Sequence, residues 1–170
     1  MPIVFGRAAN TVDAILAVFR EHGELVRGTY RARYAWNARS GDPYAGATLE
    51  RPPALRENPA SVVFPWEQVF LAAATCAGSD YPMLAAHRGV PLAKVELVVE
   101  GVFDPRPEFH GLAGFETREA HAYASLHLRA TLESTAPRDA LEALHTRVIS
   151  KNMVLDALRG IPRTDELVVL

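Results

Sequence analysis

The sequence predicts an α+β fold organised around one buried helix. The stretch from Phe64 to Gly89, FPWEQVFLAAATCAGSDYPMLAAHRG, is apolar on every side between Val69 and Ala77. A helix of that kind is buried all round instead of amphipathic, so other elements must cover each of its faces. Two later segments carry a different pattern. Lys94 to Phe103 alternates, with Val95, Leu97, Val99 and Phe103 on one side and Lys94, Glu96 and Glu100 on the other. Glu116 to Glu133 alternates over a longer span. Each reads as a strand with one buried face.

Composition bounds the function. With 170 residues, 49% of them hydrophobic, the chain can bury a sizeable core as one domain, with or without an N-terminal extension. A net charge of −2 gives no electrostatic case for nucleic acid or an anionic membrane as partner. No apolar run approaches about 18 residues, so no bilayer-spanning helix is expected. The start, MPIVFGRAANTVD, lacks a basic segment followed by an apolar core and does not read as a signal peptide, which makes the cytoplasm the expected compartment. Cys76 is the single cysteine, so the sequence offers no intrachain disulfide and no cysteine-rich zinc site.

The elements follow in order. Asn10 to His22 reads as a helix, because Val12, Ile15, Leu16 and Phe19 fall on one face, with Asn10 or Thr11 as cap and Gly23 as stop. Glu24 to Trp36 and Tyr44 to Leu49 read as two strands joined in a hairpin by the turn Asn37 to Asp42, which holds Arg39. Arg51 to Pro59 carries three prolines and reads as a loop. Pro65 suits the first position of the central helix, and Gly89 and Pro91 mark its end. Pro82 lies inside it, where its ring would clash with the carbonyl of Gly78, so a kink or a division into two helices is expected. Asp104 to Gly114 is a loop. In the strand that follows, Ala120, Ala122, Ala124, Leu126, Leu128, Ala130 and Leu132 form the apolar face, and Glu119, His121, Tyr123, Ser125, His127, Arg129 and Thr131 the polar one. His121 and His127 share that polar face, but six residues of strand separate them by about 20 Å, too far to ligate one ion. No metal site is expected. Pro137 to Ile149 reads as a helix, Lys151 to Arg159 as a second one capped by Ser150, and Thr164 to Leu170 as a short closing strand.

The segment PWEQVFLAAATC resembles the P-x-E-L-L-L-A-A-L-x-x-C signature of OsmC/Ohr-like proteins, the osmotically inducible and organic hydroperoxide resistance proteins. Pro65, Glu67, Ala72, Ala73 and Cys76 stand at the family spacing. The element order agrees: Trp36 in a preceding strand, a Val-rich strand after the helix, then a longer strand and C-terminal helices. The resemblance spans roughly Tyr30 to Leu170. It implies antiparallel sheets wrapped around long central helices in an intertwined homodimer with sites at the dimer interface. Residues 24–170 would then be a single OsmC-like domain and residues 1–23 an N-terminal helical extension. A bacterial source is the family's default.

The resemblance also assigns chemistry. It implies reduction of organic hydroperoxides, with Cys76 attacking the O–O bond, Arg39 orienting the peroxide and Glu67 orienting Arg39. The family regenerates its thiol with a second cysteine in a C-P-V motif. Here that segment reads Asn152-Met153-Val154, so both the cysteine and the proline are gone. A two-cysteine cycle is closed to this chain, and a one-cysteine cycle would need an external thiol reductant but no bound cofactor. Local charge does not plainly favour the thiol. Asp80 shares the face of Cys76 if the helix continues, and a nearby carboxylate opposes a thiolate. Glu67 lies nine residues before Cys76, half a turn away in direction on a continuous helix. It also suits a helix N-terminus as a plain acid. Three functions follow: a one-cysteine peroxide reductase, a non-catalytic dimer binding a small apolar ligand at its interface, or a structural, stress-associated dimer.

Overall fold

The computed structural model describes residues 3–4, 7–8, 13–14, 16–17, 20–21, 27–39, 42–43, 46–50, 65–109, 111 and 122–170. Ile3–Val4 (β1) and Arg7–Ala8 (β2) pair antiparallel. In the expected N-terminal helix, residues 13–14, 16–17 and 20–21 are helical. The expected loop from Arg51 to Pro59 lies outside the described residues, as does His121.

Among the described residues the main sheet has five strands: β3 (Gly28–Asn37), β4 (Ala47–Glu50), β5 (Lys94–Phe103), β6 (Tyr123–Glu133) and β7 (Arg163–Val169), in the order β4-β3-β5-β6-β7. The first four pair antiparallel, which includes the expected hairpin of β3 with β4. The last pair, β6 with β7, is parallel. The chain reaches β7 through two helices, and only such a crossover delivers a parallel neighbour. β5 has the alternation expected of it, with Val95, Leu97, Val99 and Phe103 all buried.

On β6 the alternation fails at one place. Val102 pairs with Ser125 but Phe103 pairs with Tyr123, so Ala124 is an extra residue in the ladder. A bulge of this kind reverses the faces beyond it. Ala124 is therefore exposed, while Tyr123, expected on the polar face, turns inward against Phe70 and Phe103. Its hydroxyl donates to the carbonyl of Trp66 at 3.1 Å, and burial pushes the phenol up to about 12. Leu126, Leu128, Ala130 and Leu132 are buried as expected.

One long helix, α1 (Pro65–Arg88), lies across the inner face of the sheet against β3, β4 and β5. It starts at Pro65 and stops at Gly89, whose positive φ of 67° lets Val90 N–H reach the carbonyl of Ala85 at 2.9 Å. The helix does not divide at Pro82; it runs unbroken through that residue. Packing supplies the reason: the sheet holds it on one side, and α2 (Arg138–Lys151) and α3 (Met153–Ala157) on the other. Tertiary contact outweighs the one backbone bond that proline removes. The cap of α3 is Asn152, one of its own chain neighbours, and not Ser150.

The helix approaches the sheet closely at Gly78. A Cβ there would stand 2.3 Å from the ring of Tyr34 on β3. Further along, Tyr81 Oη lies 2.6 Å from His145 Nδ1 on α2, and His145 Nε2 lies 3.0 Å from Asp165 Oδ2 on β7. A carboxylate only accepts, so Nε2 carries the hydrogen and donates to Asp165. This chain of bonds ties α1, α2 and β7 together. The outer face of the sheet is polar, with exposed pairs such as Arg33–Glu96 at 2.8 Å that add little stability.

Gly78→Ala should be expensive. Overpacking at so close a contact costs about 1–3 kcal/mol or more, read as a fall in Tm. Gly160→Ala is the control: no atom lies within 4 Å of a Cβ there, and it should melt within a degree or two of wild type. Equal melting of the two variants would show that Gly78 does not set the helix-to-sheet distance.

Candidate functional site: the Cys76 thiol and its amide partner

The rotation of α1 decides where its side chains point. Gly78 faces the sheet, and Cys76, two residues earlier, stands about 200° round the helix. Its side chain therefore leaves the sheet and points towards α3. Cys76 is half-buried and Ala72 is exposed; Met83, further along the helix, is 41% exposed. The burial on every side that the sequence predicts for this helix is thus incomplete within one chain.

The residue that meets the sulfur is Asn152, which is buried to 2% exposure. Its Nδ2 donates to Cys76 Sγ at 3.2 Å and to Asp80 Oδ2 at 2.8 Å. Its Oδ1 accepts from the backbone N–H of Val154 at 3.1 Å and of Leu155 at 3.0 Å, which is how it caps α3. Asp80 sits one turn beyond Cys76 on the continuous helix, so the shared face expected of the two is real, and the amide bridges them. Ser79 Oγ donates to the Cys76 carbonyl at 3.0 Å.

Glu67 and Arg39 lie elsewhere in the chain. Glu67 is wholly buried in the first turn of α1. Nine residues of regular helix put it on the opposite side from Cys76, about 13 Å along the axis. Arg39 is exposed in the turn after β3, where its N–H donates to Asn37 Oδ1 at 3.0 Å. The two ends of β5 separate it from Glu67. Trp66, beside Glu67, accepts from Tyr123 at the Phe103 end, while Ala38, beside Arg39, bonds Ala93 next to the Lys94 end. That is about 30 Å of strand. One chain by itself does not bring Arg39 to Glu67 or Glu67 to Cys76.

Sequence reasoning placed Asp80 near the thiol and missed Asn152 as its partner. One signal was present, that asparagine is a strong helix cap, but it does not say what the other half of the amide touches. Among the described residues no group of three or more His, Cys, Asp or Glu side chains is placed to hold a metal ion. His127 Nδ1 lies 2.8 Å from Thr164 Oγ1 on the neighbouring strand.

The family model of the OsmC-like proteins matches residues 63–166, more than half of the chain and all of α1, α2 and α3. The chain belongs to the OsmC-like family. Solved structures share its fold at low identity. An OsmC-like protein from Mycoplasma pneumoniae is 13% identical, with a TM-score of 0.51 over 80% of this chain and 95% of that one. An OsmC-like hydroperoxide resistance protein from Jannaschia sp. CCS1 is 13% identical, with a TM-score of 0.53 over 82% of this chain and 90% of that one. A hypothetical protein from Aquifex aeolicus VF5 is 12% identical, with a TM-score of 0.50 over 81% and 94%. No curated protein sequence matches the chain. Within this OsmC-like fold, Cys76 is in hydrogen-bond contact with the buried amide of Asn152. No helix of the described residues is long and apolar enough to cross a membrane.

Proposed function

We propose that this OsmC-like protein is a one-cysteine, thiol-dependent reductase of organic hydroperoxides. The observation that carries the reading is the half-buried Cys76, set at the family position on the open strip of α1 with a side-chain donor on its sulfur. Membership of the family supports it, and so does the hydroperoxide resistance named for the Jannaschia neighbour. The thiolate sulfur attacks one oxygen of the peroxide, an S–O bond forms, the O–O bond breaks, and the alkoxide leaves and takes up a proton as the alcohol. Sulfur is oxidised by two electrons and the peroxide reduced by two. An external thiol then forms a mixed disulfide with release of water, and a second thiol frees Cys76.

The reading includes a homodimer. Ala72, Cys76 and Met83 lie along one strip of α1 that a second chain would cover. The roles proposed for Arg39 and Glu67, orienting the peroxide and orienting that arginine, require contacts across such a dimer. The second reading is a non-catalytic dimer that binds a small apolar ligand at the interface. It is favoured by one observation: position 152 supplies no second thiol. The protein is taken to act in the cytoplasm, since its single free thiol needs a reducing compartment to turn over.

Light scattering at low micromolar concentration should give the mass of two chains, with an interface burying more than about 2,000 Å² in total. A single-chain mass would remove the proposed cover of α1.

Peroxide chemistry separates the two functions. Under cumene hydroperoxide, intact-mass spectrometry should show one oxygen added and trapped by dimedone on wild type, and two oxygens in excess peroxide. Cys76→Ser should show neither. A wild-type mass that stays constant at millimolar peroxide rules out the reductase and leaves the binding dimer.

A further inference from the structure

Asn152 is more than a gap left by a lost cysteine. An asparagine side chain offers one carbonyl oxygen, with two lone pairs, and two N–H hydrogens. Here Oδ1 takes the N–H groups of Val154 and Leu155, and Nδ2 gives to Asp80 and to Cys76. All four positions are used, and the residue is only 2% exposed. A flip of the amide would set its NH2 against two backbone donors and its oxygen against the Asp80 carboxylate. It would lose every one of those bonds. The N-terminus of α3 therefore fixes the amide from behind and aims a donor at the sulfur.

We propose that Asn152 is a positioning residue that holds Cys76 through its oxidised state: the locked amide donates to the thiolate, and after reaction to the sulfenic oxygen. The inference rests on the reading of Cys76 as the peroxide-reactive thiol and adds which residue manages the sulfur once no second cysteine can condense with it. The added oxygen is a better acceptor than sulfur and is bonded to the atom the amide already meets. Over-oxidation requires the sulfenate sulfur to attack a second peroxide, forming a second S–O bond as another O–O bond breaks. Donation from Nδ2 withdraws electron density from that attack. The sulfenic acid then lasts until an external thiol displaces its oxygen as water and forms the S–S bond. Asn152 is unchanged throughout; it exchanges no proton or electron. A cysteine at this position would close a disulfide but would offer no comparable donor, so the substitution exchanges internal resolution for protection of the intermediate.

The test uses Asn152→Ser, because serine caps a helix about as well as asparagine but its hydroxyl is too short to reach Cys76. Each protein receives the same excess of cumene hydroperoxide, since the second oxidation consumes a second peroxide. Dimedone is added at intervals, and intact masses report the sulfenic and sulfinic fractions. The variant's sulfenic lifetime should fall about five-fold, the factor a single ordinary hydrogen bond is worth, with more sulfinic acid and a Tm within a few degrees of wild type. Asn152→Asp keeps the capping oxygen and removes both N–H donors, while setting a second carboxylate against Asp80, and should shorten the lifetime as well. It also covers the case in which Asn152→Ser melts early. Equal lifetimes in wild type and Asn152→Asp would overturn the inference while leaving Cys76 reactive. A wild type that peroxide does not oxidise would overturn both the inference and the reading it rests on.

Discussion

The ring of Tyr34 lies where any side chain on residue 78 would have to be. That single close approach fixes both the distance of α1 from the sheet and its rotation. With Gly78 turned to β3, the buried face of the helix must include Phe70, Ala74, Ala77, Tyr81 and Ala85, and all of them are buried. Cys76 and Asp80 must then face the other way, towards α2 and α3. The direction of the thiol thus follows from a glycine that makes no contact with it.

What the thiol meets is set by a second, equally local rule. The first N–H groups of a helix need acceptors, and α3 takes the Asn152 oxygen for its own. That leaves the NH2 of the amide facing outward to Cys76 and Asp80. Two structural necessities, the packing of one helix and the capping of another, converge on the sulfur. Glu67 and Arg39 share neither necessity. Glu67 is buried half a helical turn round from the thiol, and Arg39 sits near the far end of β5. The part of the site held within one chain is Cys76, Asn152 and Asp80, and any contribution from the other two would come across a dimer.

Much of the fold was legible because it rests on local pattern. β5 has the bounds that its alternation predicts, and α1 starts and stops where Pro65 and Gly89 say it should. The misreadings come from tertiary effects. Pro82 was expected to kink the helix or divide it in two, and packing on two sides carries the helix through it undivided. Tyr123 looked like a surface residue, because a bulge of one residue is invisible in a repeating pattern. Ser150 looked like a cap because it stood at the expected distance, whereas Asn152 has both the cap geometry and a buried partner. The candidate site was legible only in part: Cys76 was singled out by its motif, and Asp80 was placed beside it by helical spacing. Its bond to Asn152 joins residues 76 apart in sequence, and no local pattern encodes that.

The most direct measurement is of the Asn152 side-chain amide itself. In nitrogen–proton correlation spectra its NH2 pair can be assigned by its loss in Asn152→Asp. A locked amide donating to Cys76 should exchange slowly with solvent, and in Cys76→Ala its resonances should move and its exchange should quicken, while α3 keeps its signals. An Asn152 pair with the same positions and the same exchange in wild type and Cys76→Ala would contradict the account, because the amide would then not be holding the sulfur.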